Sequence, residues 1–297
     1  MIGMETPVIP PARTGEHLLP GGRRLGWAEW GPPDGTPVLL CPGAATSRHL
    51  GFGAEAVAEL GIRLISLDRP GLGVSSPAPG RTFAGFAEDI RRLAEGRSLG
   101  RPAMVGNSQG APFALACAAS GVVGALAVVA GADEVAAPHF AEALPPELRR
   151  LVELVRTDPD AAEKVFAGFT PQAMWDMVMA NSPAVDLAVY QEARFAAAYR
   201  AALDEAFAQG AEGYARDTVL AMGRWDIDLS AIDVPVDVWY GAEDFGHSPD
   251  QGRSLTSRIP GAVRHVVPGT GGAVLWTRAH LILRALVRHV RGDGLTD

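Results

Sequence analysis

Short runs that stay apolar at almost every position recur through the first half of the chain. They are Val38-Leu39-Leu40-Cys41, the stretch ending at Val105, and Gly124-Ala125-Leu126-Ala127-Val128-Val129-Ala130, with Arg63-Leu64-Ile65-Ser66-Leu67-Asp68 reading as a further strand among them. Such runs predict strands buried on both faces, as in a parallel sheet. Between them the spacing becomes helical: residues 82–95 put Phe83, Phe86, Ile90 and Leu93 on one face, and residues 47–60 and the stretch from Ala111 to Ala119 also read as helices. Leu25-Gly26-Trp27-Ala28-Glu29-Trp30 alternates, which predicts a half-buried antiparallel strand, and residues 7–20 before it read as a loose arm.

Strand and helix alternating at this spacing imply right-handed crossovers and a mostly parallel, doubly wound α/β sheet. The rhythm breaks at residues 134–225, which are helical in period, lack a convincing strand, and are punctuated by Pro145-Pro146, Asp158-Pro159 and Asn181-Ser182-Pro183. This is a helical insertion. The sheet resumes with Val236-Asp237-Val238-Trp239-Tyr240-Gly241 and Val263-Arg264-His265-Val266-Val267, and residues 276–290 form a closing amphipathic helix. The expected organisation is a core of residues 1–133 and 226–297 with residues 134–225 as a helical cap.

Composition narrows the partners. The 297 residues are 47% hydrophobic and 20% charged with a net charge of -8, which suits a globular chain and leaves no cationic excess to neutralise phosphates. Neither nucleic acid nor a membrane surface is an expected partner. Cys41 and Cys117 both lie in apolar runs and read as reduced thiols. Residues 1–7 carry neither a charged n-region nor an apolar h-region, so the expected compartment is the cytoplasm.

The chemistry centres on Gly106-Asn107-Ser108-Gln109-Gly110, placed where an apolar strand gives way to a helix. Glycines on either side of a serine let the chain reverse sharply and hold the hydroxyl exposed above the sheet, next to the free amides of the first helical turn. In a chain with 35 glycines the bare pattern also fits an ordinary strand-to-helix turn.

Three further landmarks occur in order: Pro42-Gly43, Asp68-Arg69-Pro70-Gly71-Leu72-Gly73-Val74-Ser75, and Gly241-Ala242-Glu243-Asp244. Together with the serine turn they make residues 25–291 resemble the α/β-hydrolase superfamily. The resemblance implies a helix-flanked parallel sheet with a helical cap, Ser108 as nucleophile, and Asp244 as the acid that orients a histidine, with Asp133 an alternative acid. It further implies an oxyanion hole from the backbone amides of Ala44 and Gln109.

The sequence departs from the family where the general base is usual. The phrase after the last strand reads Pro268-Gly269-Thr270-Gly271-Gly272, with Gly272 at the position of the histidine. Glycine accepts no proton, and an unassisted serine is a weak nucleophile at neutral pH. Of the seven histidines, His247 is placed best to substitute, three residues past Asp244 on a loop bordering the site; a solvated loop histidine is the plain alternative. His139 begins the insertion, His265 lies in the last strand, His280 and His289 in the closing helix, and His17 and His49 far from the site in this scheme. No set has metal-ligand spacing, so neither a metal nor another cofactor is expected.

Aromatic and thioether residues crowd the insertion, most of them expected in its own core, with Trp175 and Met177 the candidate substrate contacts in an apolar pocket. The expected function is hydrolysis of an ester, lactone or thioester of an apolar small molecule with an atypical or incomplete triad. The alternatives are a non-hydrolytic cyclase or lyase of the same fold, a catalytically silent ligand-binding protein, and a chain in which Gly272 replaces a histidine so as to trap substrate.

Overall fold

The computed structural model describes residues 8–292. Residues 1–7, on which the cytoplasmic expectation rests, lie outside them. An eight-stranded sheet runs through the molecule in the order β1-β2-β4-β3-β5-β6-β7-β8. Its strands are β1 (Arg13–Leu18), β2 (Arg24–Trp30), β3 (Thr36–Cys41), β4 (Ile62–Leu67), β5 (Ala103–Asn107), β6 (Ala125–Val129), β7 (Val236–Gly241) and β8 (Val263–Val267). β2 pairs antiparallel with both β1 and β4, and the other pairings are parallel. Five consecutive residues of β5 and of β6 are fully buried, which is why these strands read as unbroken apolar runs.

Helices cover both faces. On one, α2 (Phe83–Gly96), α3 (Gly110–Ala119) and α10 (Arg253–Ser257) pack with Phe83 and Phe86 edge-on to Phe113, ring centroids 5.0 and 5.2 Å apart. Such aromatic pairs add about 0.5–1.5 kcal/mol each beyond the area they bury. On the other, α1 (Ala54–Glu59), α11 (Val274–Thr277) and α12 (Ala279–Arg291) cover Val38, Leu40, Val105 and Trp239. Among the described residues no helix is long and apolar enough to cross a membrane.

Three local readings change. Residues 13–18 of the expected arm form edge strand β1, whose side chains alternate between part-buried and exposed with hardly an apolar residue to betray the pattern; Gly15 leaves room for the Trp27 ring. The helix expected over 47–60 is only α1, because side chains hold the preceding loop in place: Asp68 accepts from the Arg48 amide at 2.6 Å, and Ser47 donates to Glu205 at 2.6 Å. The closing helix is broken between α11 and α12 at Arg278, which is not helical.

Between β6 and β7 lie six helices, α4 (Pro146–Thr157), α5 (Pro159–Phe166), α6 (Pro171–Asn181), α7 (Ala184–Tyr190), α8 (Ala193–Ala206) and α9 (Glu212–Met222). Their shared apolar cluster extends into the core loops through Ala45, Leu50, Leu72 and Ala273. The inserted helices thus pack directly above the carboxyl ends of the parallel strands, where open α/β sheets place their ligands.

Candidate active site

The serine turn is built by close packing. A side chain on Gly106 would stand 2.7 Å from Ala114 Cβ and 2.9 Å from Ala111 Cα, and one on Gly110 would overlap the backbone carbonyls of Cys41 and Pro42. Only glycine lets α3 come this close to β5 and β3. Between the two, Ser108 adopts φ +49°, a left-handed conformation strained for any residue but glycine. Its carbonyl accepts from the Ala111 and Ala132 amides at 3.0 and 2.9 Å, which holds the strained residue from both sides.

Facing it is the segment after β3. Gly43 passes so near that a Cβ there would lie 3.3 Å from Ser108 Cβ. The amides of Ala44 and Gln109 donate to no acceptor among the described residues, leaving two N–H groups free beside the serine. A buried network sets this segment. Arg69, wholly inaccessible, bonds the carbonyls of Pro42 and Gly43 and the Gln109 side chain, and its charge is met by Asp217 of α9 at 2.6 Å. Gln109 in turn donates to Thr218 of α9 at 2.9 Å. The landmark turn from Asp68 to Ser75 is a scaffold too: Ser75 donates to the Asp68 carbonyl at 2.7 Å, and a Cβ on Gly73 would overlap the Asp68 carboxylate.

Beyond β7 the chain brings Asp244 and His247 to the serine. Asp244, nearly fully buried, accepts the His247 Nδ1 at 2.9 and 3.0 Å, and His247 Nε2 lies 3.0 Å from Ser108 Oγ. A carboxylate only accepts, so Nδ1 carries the proton and Nε2 presents its lone pair to the hydroxyl. Burial works against charge on Asp244, yet the His247 charge and hydrogen bonds hold its carboxyl below the usual range. Partial burial likewise opposes a charged His247, but Asp244, aided by Asp186, carries the imidazole above its ordinary value. The result is a hydroxyl, an oriented base and a fixed anion in line, an arrangement able to move a proton off Ser108 as it attacks a carbonyl.

Asp133 lies apart from the imidazole. It accepts from Ser248 Oγ at 2.8 Å, and its amide donates to the His247 carbonyl at 3.0 Å, so it anchors the loop that carries the histidine. Gly272 is packed against that histidine: a Cβ there would lie 2.8 Å from His247 Cε1. The other histidines are engaged elsewhere: His265 and His289 on Asp237, His280 on Glu59, His49 on Glu205, His139 against Phe140, and His17 beside Gly96. Cys41 and Cys117 are buried free thiols.

On α6, Trp175 is buried in the cluster of the inserted helices with Arg200 3.9 Å above its ring, while Met177 keeps 39% of its surface exposed. Two positions apart on a helix, they point to different faces. A further insertion residue, not singled out from the sequence, bonds the segment after β8: Asp186 of α7 accepts from the amides of Gly271, Gly272 and Ala273 at 3.1, 2.6 and 3.2 Å. Its signal in the sequence is the Gly271-Gly272 pair itself, where a side chain on Gly271 would overlap the Asp186 carboxylate.

Comparison with known proteins agrees with the fold. No curated protein sequence matches the chain. Among solved structures, an enol-lactonase from Burkholderia xenovorans LB400 superposes with TM-score 0.66 at 20% identity, over 93% of this chain and all of that one. A thermophilic esterase from Thermogutta terrifontis gives 0.63 at 21%, over 96% and 100%, and a bromoperoxidase from Bacillus anthracis 0.64 at 19%, over 94% and 100%. The family model described as alpha/beta hydrolase fold matches residues 36–279, and the chain belongs to that family.

Proposed function

We propose that the protein is a serine hydrolase acting on an ester, lactone or thioester of an apolar small molecule, with Ser108 as nucleophile, His247 as general base and Asp244 as its orienting acid. One observation carries the reading: the continuous chain from the Asp244 carboxylate through the His247 ring to Ser108 Oγ, with heavy atoms 2.9–3.0 Å apart. In this reading Nε2 takes the serine proton as Oγ attacks the substrate carbonyl, and the amides of Ala44 and Gln109 receive the oxyanion. The same nitrogen then returns the proton to the leaving group, and water repeats the sequence on the acyl-enzyme. The apolar surface that the inserted helices share with Ala44, Ala45 and Trp276 suits an apolar acyl or lactone group, and the lactonase and esterase among the structural relatives support a carbonyl substrate.

The test is a panel of p-nitrophenyl esters and lactones combined with labelling by a serine-reactive fluorophosphonate. Ser108→Ala should abolish both labelling and turnover. His247→Ala should lower turnover by roughly 10⁴–10⁶-fold, the cost of removing the base from a comparable triad. Labelling that survives Ser108→Ala would sink the reading. Turnover of a substrate without a covalent acyl-enzyme would redirect it to a lyase or cyclase.

A further inference from the structure

We infer that Asp186, carried by the inserted helix α7, is a positioning residue for the His247 base: it clamps the Gly271–Ala273 segment on which the imidazole rests and sets a second carboxylate beside that ring. The inference rests on the proposed triad. Asp186 is 2% exposed, and its two oxygens take three successive backbone amides. Three donors converging on one carboxylate match its ionised form, which accepts only. Burial, with the nearby Asp244 charge, raises the Asp186 carboxyl above its ordinary value, and these three bonds oppose that rise by favouring the ionised form.

The cradle and the ring share one point in space. The position that a Cβ of Gly272 would occupy lies 2.8 Å from His247 Cε1 and 3.6 Å from Asp186 Oδ2. The two glycines thus make room for a carboxylate from the insertion on one side and for the imidazole on the other. When Nε2 takes the serine proton, positive charge spreads over the ring, and a fixed anion this near, away from bulk water, stabilises it. Among the described residues, Asp244 on its own loop and Asp186 on α7 bear on the charge of His247, Ser108 after β5 meets its Nε2, and Asp133 meets its backbone carbonyl. Tyr190 follows one turn after Asp186, buried and held neutral by burial and by Asp186.

The test is Asp186→Asn in the full chain, read in two ways. By NMR titration of the His247 ring, the midpoint should move to lower pH, because a carboxylate that favours the imidazolium is gone. In p-nitrophenyl ester hydrolysis the acid limb should move the same way, with kcat at its plateau roughly tenfold lower and KM changed less than about twofold. A purely structural role would lower activity without moving the midpoint, and an unmoved midpoint overturns the inference. Gly271→Ala displaces the carboxylate without removing it and should also lower the midpoint, so the inference stays testable if Asp186→Asn fails to fold. The titration needs no turnover. Failure of the triad reading would appear separately, as hydrolysis unaffected by His247→Ala.

Discussion

The sequence resemblance puts Gly272 at the position of the family's usual base, and the packing of Gly272 against His247 supports a quantitative prediction. In Gly272→Ala the new methyl would lie 2.8 Å from His247 Cε1, whereas nine in ten real contacts of this kind exceed 3.4 Å, so ring or loop must yield about 0.6 Å. The carboxylate of Asp186 is 3.6 Å from the same point and is undisturbed, and Gly272 is not in the left-handed region, so alanine fits its backbone. Folding should be unharmed or slightly improved, by about 0.4–1 kcal/mol from the stiffer unfolded chain. Activity should suffer, because the bonds of 2.9–3.0 Å that align the base are misdirected. A displacement of about 1 Å in a catalytic array can cost about 100-fold, so 0.6 Å should cost roughly 10–50-fold in kcat/KM, or about 1.4–2.3 kcal/mol of transition-state stabilisation. Ester hydrolysis and thermal unfolding measured side by side would show a slow enzyme with an unchanged melting temperature. Gly272→His should be worse, since its ring would compete with His247 for one space. Full activity in the alanine variant, or a gain in the histidine variant, would refute the reasoning and mark the site as one lacking its base.

Other consequences follow from the same contacts. Because His247 titrates above the ordinary histidine value of about 6.5 and must be neutral to act, kcat/KM should rise with pH along a limb centred above that value; a limb centred below it would count against His247 as the base. The same raised value makes its contribution to folding stability fully present below about pH 6.5 and lost as pH climbs through the folded-state midpoint, which a pH series of melting temperatures would register. Asp217→Asn leaves the wholly buried Arg69 without its counter-charge and should cost about 3–5 kcal/mol, on the order of 10 °C in melting temperature, with activity falling further because Arg69 holds the Pro42 and Gly43 carbonyls. Gly110→Ala forces a methyl into the Cys41 and Pro42 carbonyls, rigid backbone and not a movable ring, and should yield little folded protein, as circular dichroism of the purified variant would show.

The strands buried on both faces were the most legible part of the sequence, since continuous apolar runs such as Ala125-Leu126-Ala127-Val128-Val129 have no other inexpensive home than a helix-covered parallel sheet. The edge strand β1 was hidden for the converse reason: one face meets solvent and the other presents Arg13, Gly15 and His17, with Arg13 bonded to Glu29, so Arg13-Thr14-Gly15-Glu16-His17-Leu18 carries almost no apolar period. Residues 47–53 form no helix, because Gly51 and the left-handed Gly53 disfavour one and Ser47, Arg48 and His49 bond Asp68 and Glu205, partners remote in sequence. Long-range polar contacts leave no local period to read.

The site divides along the same line. Ser108 and its glycines form a local device, and their spacing records the packing of one turn against two strands. Asp244 and His247 are nearly local: an aspartate whose carboxylate also accepts the amide three residues on, at 3.3 Å, curls its own loop until the imidazole meets it. What looked like a deletion at Gly272 follows from this placement. In the proposed triad, a base carried on the loop after β7 needs the volume that a side chain after β8 would fill. The carboxylate of Asp186 needs the volume above Gly271, so both positions must be glycine. Arg69 and Asp217 carried no such mark, because they are joined to each other across 148 residues, and Asp186 is marked only through the two glycines it bonds 85 and 86 residues away. A missing side chain in a site is therefore best read together with the residues whose atoms now occupy its volume; here those atoms belong to a histidine and a carboxylate, both able to serve the serine.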